Sequence, residues 1–446
     1  MQTPRKKMRS ARSLDPAMEL AIVEVAPGGD GVAIVERAGE RRAVFVRGAA
    51  QGDRIEAKVD FRSRPAHGQL ERVLSPGADR VDPACPHAQR CGGCNWMHLT
   101  TNAQTRIHLE QLRAALPEAW RETDVRAVPA VTRELGYRTR ARVHVRASGG
   151  RAIVGMHAPS SHDPVEVDAC RVLHPSLERA RLGLGALFER AHGTGEVELA
   201  LGHPAASERP HVLAVRWSSV LPPEVYARFE RALSPAGLAG ASIVCGEATR
   251  PAIIGDPTPW MRGPDGSPLR LAVGGFAQAS EEGNHKLAQR VAELASEAMA
   301  AATDRTNVVE LYAGAGNFTV LLARIPHAQT VAVESNADAC RAAQENLSAR
   351  SLAAKVVLAD ASSYALPKSL QLLVLDPPRT GARAVAERLR AQPARFVLYV
   401  SCDLATLGRD LAILAPVYRP RAIEAFELFP QTSHLETVVL LERHRS

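Results

Sequence analysis

Aromatic residues make up only 4% of this 446-residue chain, so stacking platforms for bases are few. No apolar run approaches the 18 or so residues that a membrane-spanning helix needs, which excludes an integral helical membrane protein on sequence grounds. The first residues, MQTPRKKMRSARSLD, are basic but lead into no apolar segment. A secretory signal is therefore not expected, and the expected compartment is cytoplasmic. An even set of regularly spaced cysteines is missing too. The seven present, at 85, 91, 94, 170, 245, 340 and 402, are odd in number and uneven in spacing, which suggests metal binding or catalysis before disulfides. There is no internal repeat.

The charge is unevenly placed. Residues 1–150 hold 25 Lys and Arg against 17 Asp and Glu, an excess of +8 in a chain whose net charge is +7. A basic front joined to a nearly neutral remainder suggests a polyanion-binding segment; a merely solvated basic surface would look the same. Residues 1–14 read as a basic disordered arm. Over 15–76, short β-patterned runs (ELAIVEVA, VAIVER, RRAVFVRG, RIEAKVDF, HGQLERVL) alternate with glycine turns and predict a small barrel of the oligonucleotide-binding kind. Arg41, Arg42, Arg47, Arg54, Lys58, Arg62 and Arg64 would decorate it, available for phosphate contacts.

Residues 77–127 form a cysteine-rich linker and an amphipathic helix, NAQTRIHLEQLRAAL, with Ile107, Leu109, Leu112 and Leu116 near one side. Residues 128–262 mix strands (RARVHVRA, AIVGMHA, EVELALG, HVLAVRW, ASIVCG) with two helices and read as a central α+β domain. From residue 263, and clearly from Ser280, helix and strand alternate. A helix capped by Ser280 is followed by NVVELYA, TVAVES, KVVLAD, LQLLVLDPP and RFVLYVS with helices between, then by two further strands. Such βαβ repetition predicts an α/β class, a doubly wound, mostly parallel Rossmann-like sheet.

In open parallel sheets ligands bind beyond the carboxyl ends of the strands. VVELYAGAGNFT places Gly314 and Gly316 after the first such strand, and Glu334, at the end of the next, lies 20 residues beyond Gly314, where it could meet ribose hydroxyls. Asp360 ends the third strand in the same way. The third glycine of a pyrophosphate cradle is missing, so a nucleoside-type cofactor such as S-adenosylmethionine fits better than a dinucleotide. A lone G-x-G is a weak signal.

Asp376, in LLVLDPPRTG, follows the fourth strand, and Pro377-Pro378 keeps its backbone extended. Cys402, in YVSCDLATLGRD, ends the fifth, and Glu436, in FPQTSHLETV, opens the last, with Gln431 and His434 nearby. Taken singly, a packed thiol, a proline turn and a capping carboxylate are the commoner explanations. Together, three chemically competent groups at the mouths of one sheet favour a reactive site.

ELYAGAGNFT, LDPPRTG, YVSCDLATLGRD and FPQTSHLETV, in that order, resemble the motif set of the RNA uracil-5 methyltransferase family. The barrel resembles a TRAM domain, and GYRTRARV (136–143) is also similar to a family stretch. The likeness runs from about residue 18 to the end. It implies Cys402 as nucleophile and Glu436 as base. It also implies Gln278 (in GFAQAS), Tyr312, Asn317, Glu334, Asp360 and Asp376 around S-adenosylmethionine, with Asp376 also facing the target base. The chemistry requires such a set independently. C5 of uracil becomes nucleophilic only after a thiolate adds at C6, so a depressed Cys402 pKa is expected. A base must then remove the C5 proton. Two departures stand out: Leu404 replaces a proline usual two residues after the cysteine, and Ser280 replaces a frequent asparagine.

CPHAQRCGGCNWMH spaces Cys85, Cys91 and Cys94 as C-x5-C-x2-C, with Cys170 as a distant fourth thiolate. This differs from the C-x3-C-x2-C of radical enzymes. Four thiolates suit zinc or an iron–sulfur cluster, and spacing does not choose. Resemblance to cluster-bearing members of the family implies [4Fe-4S]. His87 and His98 read as bystanders, Cys245 and Cys340 as core thiols. The expected partner is RNA, 23S rRNA by analogy with tRNA as the alternative; no membrane and no obligate protein partner are implied. Two other readings are cytosine-5 methylation and an RNA-binding factor with a vestigial transferase.

Overall fold

The computed structural model describes residues 16–37, 39–129, 133–159, 161, 163–204 and 209–444. The basic arm expected over 1–14 lies outside the described residues. The described residues form two compact units: those within 16–89, 93–107 and 431–433, and those within 90–92, 108–430 and 434–444.

In the first unit the alternating runs close into a barrel of five strands. Met18–Val25, Gly31–Arg37, Glu40–Val46, Ala66–Ser75 and Arg54–Asp60 follow one another around it. Closure leaves no free sheet edge, and the inward residues Leu20, Ile22, Val44, Val46, Ile55 and Val59 are fully or almost fully buried. The buried Asp53 carboxylate accepts hydrogen bonds from the Ala50 and Gly77 N–H groups and pairs with Arg80, which ties the chain leaving the barrel back onto it. On the outside, the Arg37 and Arg42 guanidinium groups lie 4.1 and 5.4 Å from the Phe61 ring centre, and Arg41, Arg62 and Arg64 are exposed. Trp96, fully buried with Leu99, Ala103 and Ile107, makes a smaller core. Its N–H donates to the Gln431 carbonyl at 3.0 Å, Gln104 Oε1 accepts from the Gln431 N–H at 2.8 Å, and Asn95 Oδ1 accepts from the Ser433 N–H at 2.9 Å.

In the second unit the central strands predicted from period-two patterning form one seven-stranded sheet. Its order is Ala252–Gly255, Leu238–Cys245, His211–Trp217, Gly193–Leu201, Arg140–Ser148, Arg151–His157 and Pro164–Glu166. Helices Pro175–Leu187 and Pro223–Arg231 cover it, packing Phe188 against Trp217 (ring centres 4.9 Å apart) and Phe229 (5.6 Å).

The same unit holds an eight-stranded sheet ordered Lys355–Leu358, Ala328–Glu334, Thr306–Leu311, Leu370–Leu375, Phe396–Ser401, Glu436–Arg443, Tyr418–Phe426, Arg126–Val128. The first five are mutually parallel, and Glu436–Arg443 runs antiparallel to its neighbours. These strands are apolar on both faces because helices cover both. One core includes Leu287, Val291, Leu372 and Leu398; the other includes Leu373, Leu389, Tyr399 and Leu411. Arg126–Val128, divided in the sequence reading between the linker (77–127) and the central domain (128–262), is the edge strand instead, paired in parallel with Glu424–Phe426. Three residues carry no periodicity to announce it. No described helix is long and apolar enough to cross a membrane.

Candidate active site

Strand order reverses at Thr306–Leu311, whose neighbours are the second and the fourth strands of the parallel series. This is the switch point at which a crevice opens beyond the strand ends. The chain turns there through Tyr312, a non-glycine residue at φ 64°, a backbone state costing of order 1–3 kcal/mol and concentrated at functional sites. Gly314 follows at φ 55°, and a Cβ on it would meet nothing within 4 Å, so the backbone presents a bare, open edge.

Glu334 ends the neighbouring strand. Its two oxygens accept from the Gly314 N–H (2.9 Å) and the Asn336 N–H (2.8 Å), which ties the carboxylate to the turn. Asp360 is exposed and accepts from the Ser362 N–H at 2.6 Å and from its hydroxyl, bonds that hold its pKa below the usual carboxylate range. Asn317 exchanges two amide hydrogen bonds with the buried Asn284, at 2.9 and 2.8 Å, fixing the turn to helix Glu281–Met299. Ser280 caps that helix, accepting from the Gly283 N–H at 3.1 Å. The Ser280 departure therefore serves a buried cap.

The reactive candidates converge at one end of the sheet. Ser401 pairs with Thr437 at the end of the antiparallel ladder, and Cys402 and Glu436 are the residues next beyond that pair, near enough for the Glu436 charge to act on the thiol. Asp376 lies one residue past the strand beside them. Glu436 is 1% exposed and neither of its oxygens has a hydrogen-bond partner; Gln278, also buried, has an unpartnered Oε1. Burial and then the Asp376 charge push Glu436 well above the carboxylate range, with the Gln278 amide and the Arg379 charge opposing. Burial alone pushes Asp376 up to about 7. An unpartnered buried carboxyl is expensive, and its persistence here marks a site built to meet something else.

Cys402 is a half-buried free thiol. The expectation of a depressed pKa is not met in this state: burial first, then the charges of Glu436 and Asp376, push it up to about 11, against the favourable charge of Arg379. Asp403 caps helix Leu404–Leu414 by accepting from the Thr406 N–H at 2.8 Å, so the turn after the cysteine is fixed without the proline.

Sequence reasoning missed two groups, Glu310 and Arg379, and gave no role to a third that it did name, His434. Glu310 is fully buried in the first parallel strand, accepts from the Thr319 hydroxyl at 2.6 Å, and is pushed up to about 8 mainly by burial. A charge inside the apolar run NVVELY was the available signal. Arg379, the arginine of LDPPRTG, bears on both Cys402 and Glu436. His434, whose Nε2 lies 3.4 Å from Arg379, is lowered to about 4 by burial and that charge, hence neutral at pH 7.

The metal candidates stand differently. Cys85 and Cys94 belong to the first unit, Cys91 and Cys170 to the second, and all four are half-buried and outside any disulfide. Gly92 donates its N–H to the His157 carbonyl at 2.9 Å, and a Cβ there would lie 2.7 Å from that oxygen, so the wrap between Cys91 and Cys94 needs glycine. Among the described residues no group of three or more His, Cys, Asp or Glu gathers as a metal-ligand set. No step below runs through a cluster or a zinc ion. Cys340 is buried, as expected of a core thiol, and Cys245 is half-buried against the Tyr226 hydroxyl.

The sheet order, the switch-point crevice and the open glycine edge define a class I methyltransferase of the S-adenosylmethionine-dependent kind. Residues 288–399 match the family model for the methyltransferase small domain and residues 368–444 that for tRNA (uracil-5-)-methyltransferase. The chain is 32% identical to the 23S rRNA (uracil(1939)-C(5))-methyltransferase RlmD of Halomonas elongata, over 98% of this chain and 92% of that one. It is also 32% identical to the protein of that name from Pseudomonas entomophila, over 95% and 93%. Among solved structures it resembles the Pyrococcus abyssi tRNA (uracil-54, C5)-methyltransferase in complex with S-adenosyl-L-homocysteine. There the TM-score is 0.72 with 19% identity, over 95% of this chain and all of that one, a likeness of fold. The chain belongs to the RNA uracil-5 methyltransferase family.

Proposed function

We propose that this protein methylates C5 of a uridine in 23S rRNA, with Cys402 as nucleophile and Glu436 as base. The observation that carries the reading is the juxtaposition of Cys402, Glu436 and Asp376 at the end of one sheet, where each carboxyl acts on the thiol. The relatives' printed activity, over nearly their whole length, supports the RNA. Bound S-adenosylmethionine supplies an electrophilic methyl group. Tyr312, Asn317, Glu334, Asp360 and Gln278 would hold it, at the open edge of Gly314 and the neighbouring strand ends.

The target uridine must leave its stack to reach a half-buried thiol. Cys402 Sγ bonds to C6, and C5 gains enolate character and takes the methyl group. Glu436 then removes the C5 proton and the Sγ–C6 bond breaks, regenerating the thiolate. Arg379 favours the thiolate, and an unpartnered Glu436 is free to accept the proton. Asp376, buried beside both, donates to or accepts from the pyrimidine edge according to its charge. The barrel over 15–76 contributes phosphate contacts, and the site of action is the cytoplasm.

The test is incubation with methyl-labelled S-adenosylmethionine and 23S rRNA or tRNA transcripts, followed by digestion to nucleosides. Label in 5-methyluridine from 23S rRNA is expected. Label in cytidine, or only in tRNA, would sink the assignment. The finer reading of the cofactor complement is a [4Fe-4S] cluster on Cys85, Cys91, Cys94 and Cys170, supported by the resemblance to cluster-bearing members of the family and by four cysteines outside any disulfide. Iron and sulfide analysis of anaerobically purified protein, with Cys91→Ser as control, decides it.

A further inference from the structure

The stretch GYRTRARV has no part in the chemistry above, yet it ties three segments together. The Gly136 and Arg138 N–H groups each donate at 2.9 Å to the Arg171 and Val172 carbonyls beside Cys170, and the Arg138 carbonyl accepts from the His174 N–H at 2.8 Å. Next, Thr139 reaches the Ala279 carbonyl twice, through its N–H at 2.8 Å and its hydroxyl at 3.3 Å. Ala279 is the residue after Gln278. The Arg140 guanidinium donates to the Gly275 carbonyl and the Glu198 carboxylate, which holds the start of the same loop. Finally, the hydroxyl of Tyr137, itself 8% exposed, donates to the Pro430 carbonyl at 3.2 Å. Pro430 opens the turn that ends in Glu436.

Three residues of one strap thus grip the two segments that carry Glu436 and the amide acting on it. We propose that Tyr137, Thr139 and Arg140 are positioning residues for proton removal at C5, setting Glu436 and Gln278 against the substrate without touching it. This rests on Glu436 being the base. The elimination step is the one exposed to such an error, because no hydrogen bond fixes either oxygen of the buried Glu436 carboxyl, so its position follows the segments that carry it. Adduct formation at Cys402 depends on a strand end gripped by the sheet and would be little affected.

The consequence is specific: loosening the strap slows the second half of the reaction, and the covalent enzyme–RNA species accumulates. Tyr137→Phe removes one oxygen at constant ring volume; Thr139→Val removes the hydroxyl bond and keeps the backbone bond. Each variant is compared with wild type and Glu436→Gln, using a 23S rRNA fragment and methyl-labelled S-adenosylmethionine. The readouts are kcat, KM for RNA, Tm, and the covalent fraction on denaturing gels. For Tyr137→Phe, kcat is expected to fall about tenfold to a hundredfold, with KM and Tm nearly unchanged and the covalent fraction rising several-fold. An unchanged kcat, or a fall with no rise in covalent species, overturns the strap's role if Glu436→Gln accumulates the adduct. If Glu436→Gln forms no excess adduct, the base assignment itself fails and this inference goes with it.

Discussion

Ser401 and Thr437 are ladder partners, and Cys402 and Glu436 are the residues next beyond that pair. A thiol that must attack and a carboxyl that must later take a proton are thereby carried at the end of a rigid sheet, as a two-step covalent reaction on one small ring requires.

The same closeness restrains the thiol before substrate arrives. With its pKa pushed up to about 11, Cys402 is overwhelmingly protonated at pH 7. Alkylation by iodoacetamide, read at Cys402 by peptide mass spectrometry, should rise roughly tenfold per pH unit between pH 7 and 10 in the ligand-free protein. Replacing Glu436 by Gln removes a negative neighbour and should move that curve to lower pH. A plateau below pH 8 in wild type would contradict the electrostatics.

Glu310 predicts a pH dependence of stability. Its folded pKa of about 8 lies above its ordinary 4.5, so between those values the native state holds a proton that the unfolded chain has lost. Stability then falls as pH rises through that window. Asp376, raised to about 7, acts in the same direction. Glu310→Gln should lessen the loss between pH 5 and 8 by on the order of a few kcal/mol, seen as a Tm that declines less steeply. Parallel Tm curves for the two proteins would refute it.

Leu404 stands at the first helical position after the Asp403 cap, and Asp403 is extended, at φ −138° and ψ 111°. Proline is suited to that position and tolerates an extended predecessor. Leu404→Pro should leave activity intact and stabilise by about 0.4–1 kcal/mol. Asp403→Ala, which frees the Thr406 N–H, should cost about 1 kcal/mol. Thermal melts and turnover on both variants check this.

On the barrel, Arg41 and Arg64 are exposed on the unit with the basic excess. If both meet phosphates, Arg41→Ala with Arg64→Ala should weaken RNA binding without regard to sequence. The slope of log K against log salt should shrink by roughly 1–2. An identical slope would place RNA elsewhere.

Much of this was legible in the chain. Period-two runs announced the barrel and the central sheet, and apolar runs separated by helical stretches announced the parallel sheet, because burial on one face or both leaves those patterns. Gly314, Asp376, Cys402 and Glu436 were readable as strand-end residues. Their register was not: a pairing across some 35 residues of chain leaves no local mark. Nor did Arg126–Val128 announce itself, since its partner lies almost 300 residues on. The direction of the Cys402 shift was misjudged for a related reason. The thiol's neighbours are the carboxylates of the same reaction, and their field precedes the ligands that would offset it.

The most direct test is to locate the covalent bond. Glu436→Gln incubated with S-adenosylmethionine and a 23S rRNA fragment, nuclease-treated, digested with trypsin and sequenced by mass spectrometry, should yield one modified peptide. It should carry a methylated uridine nucleotide on Cys402. A nucleotide on any other cysteine, or a Cys402→Ala protein that still methylates uridine, would contradict the account.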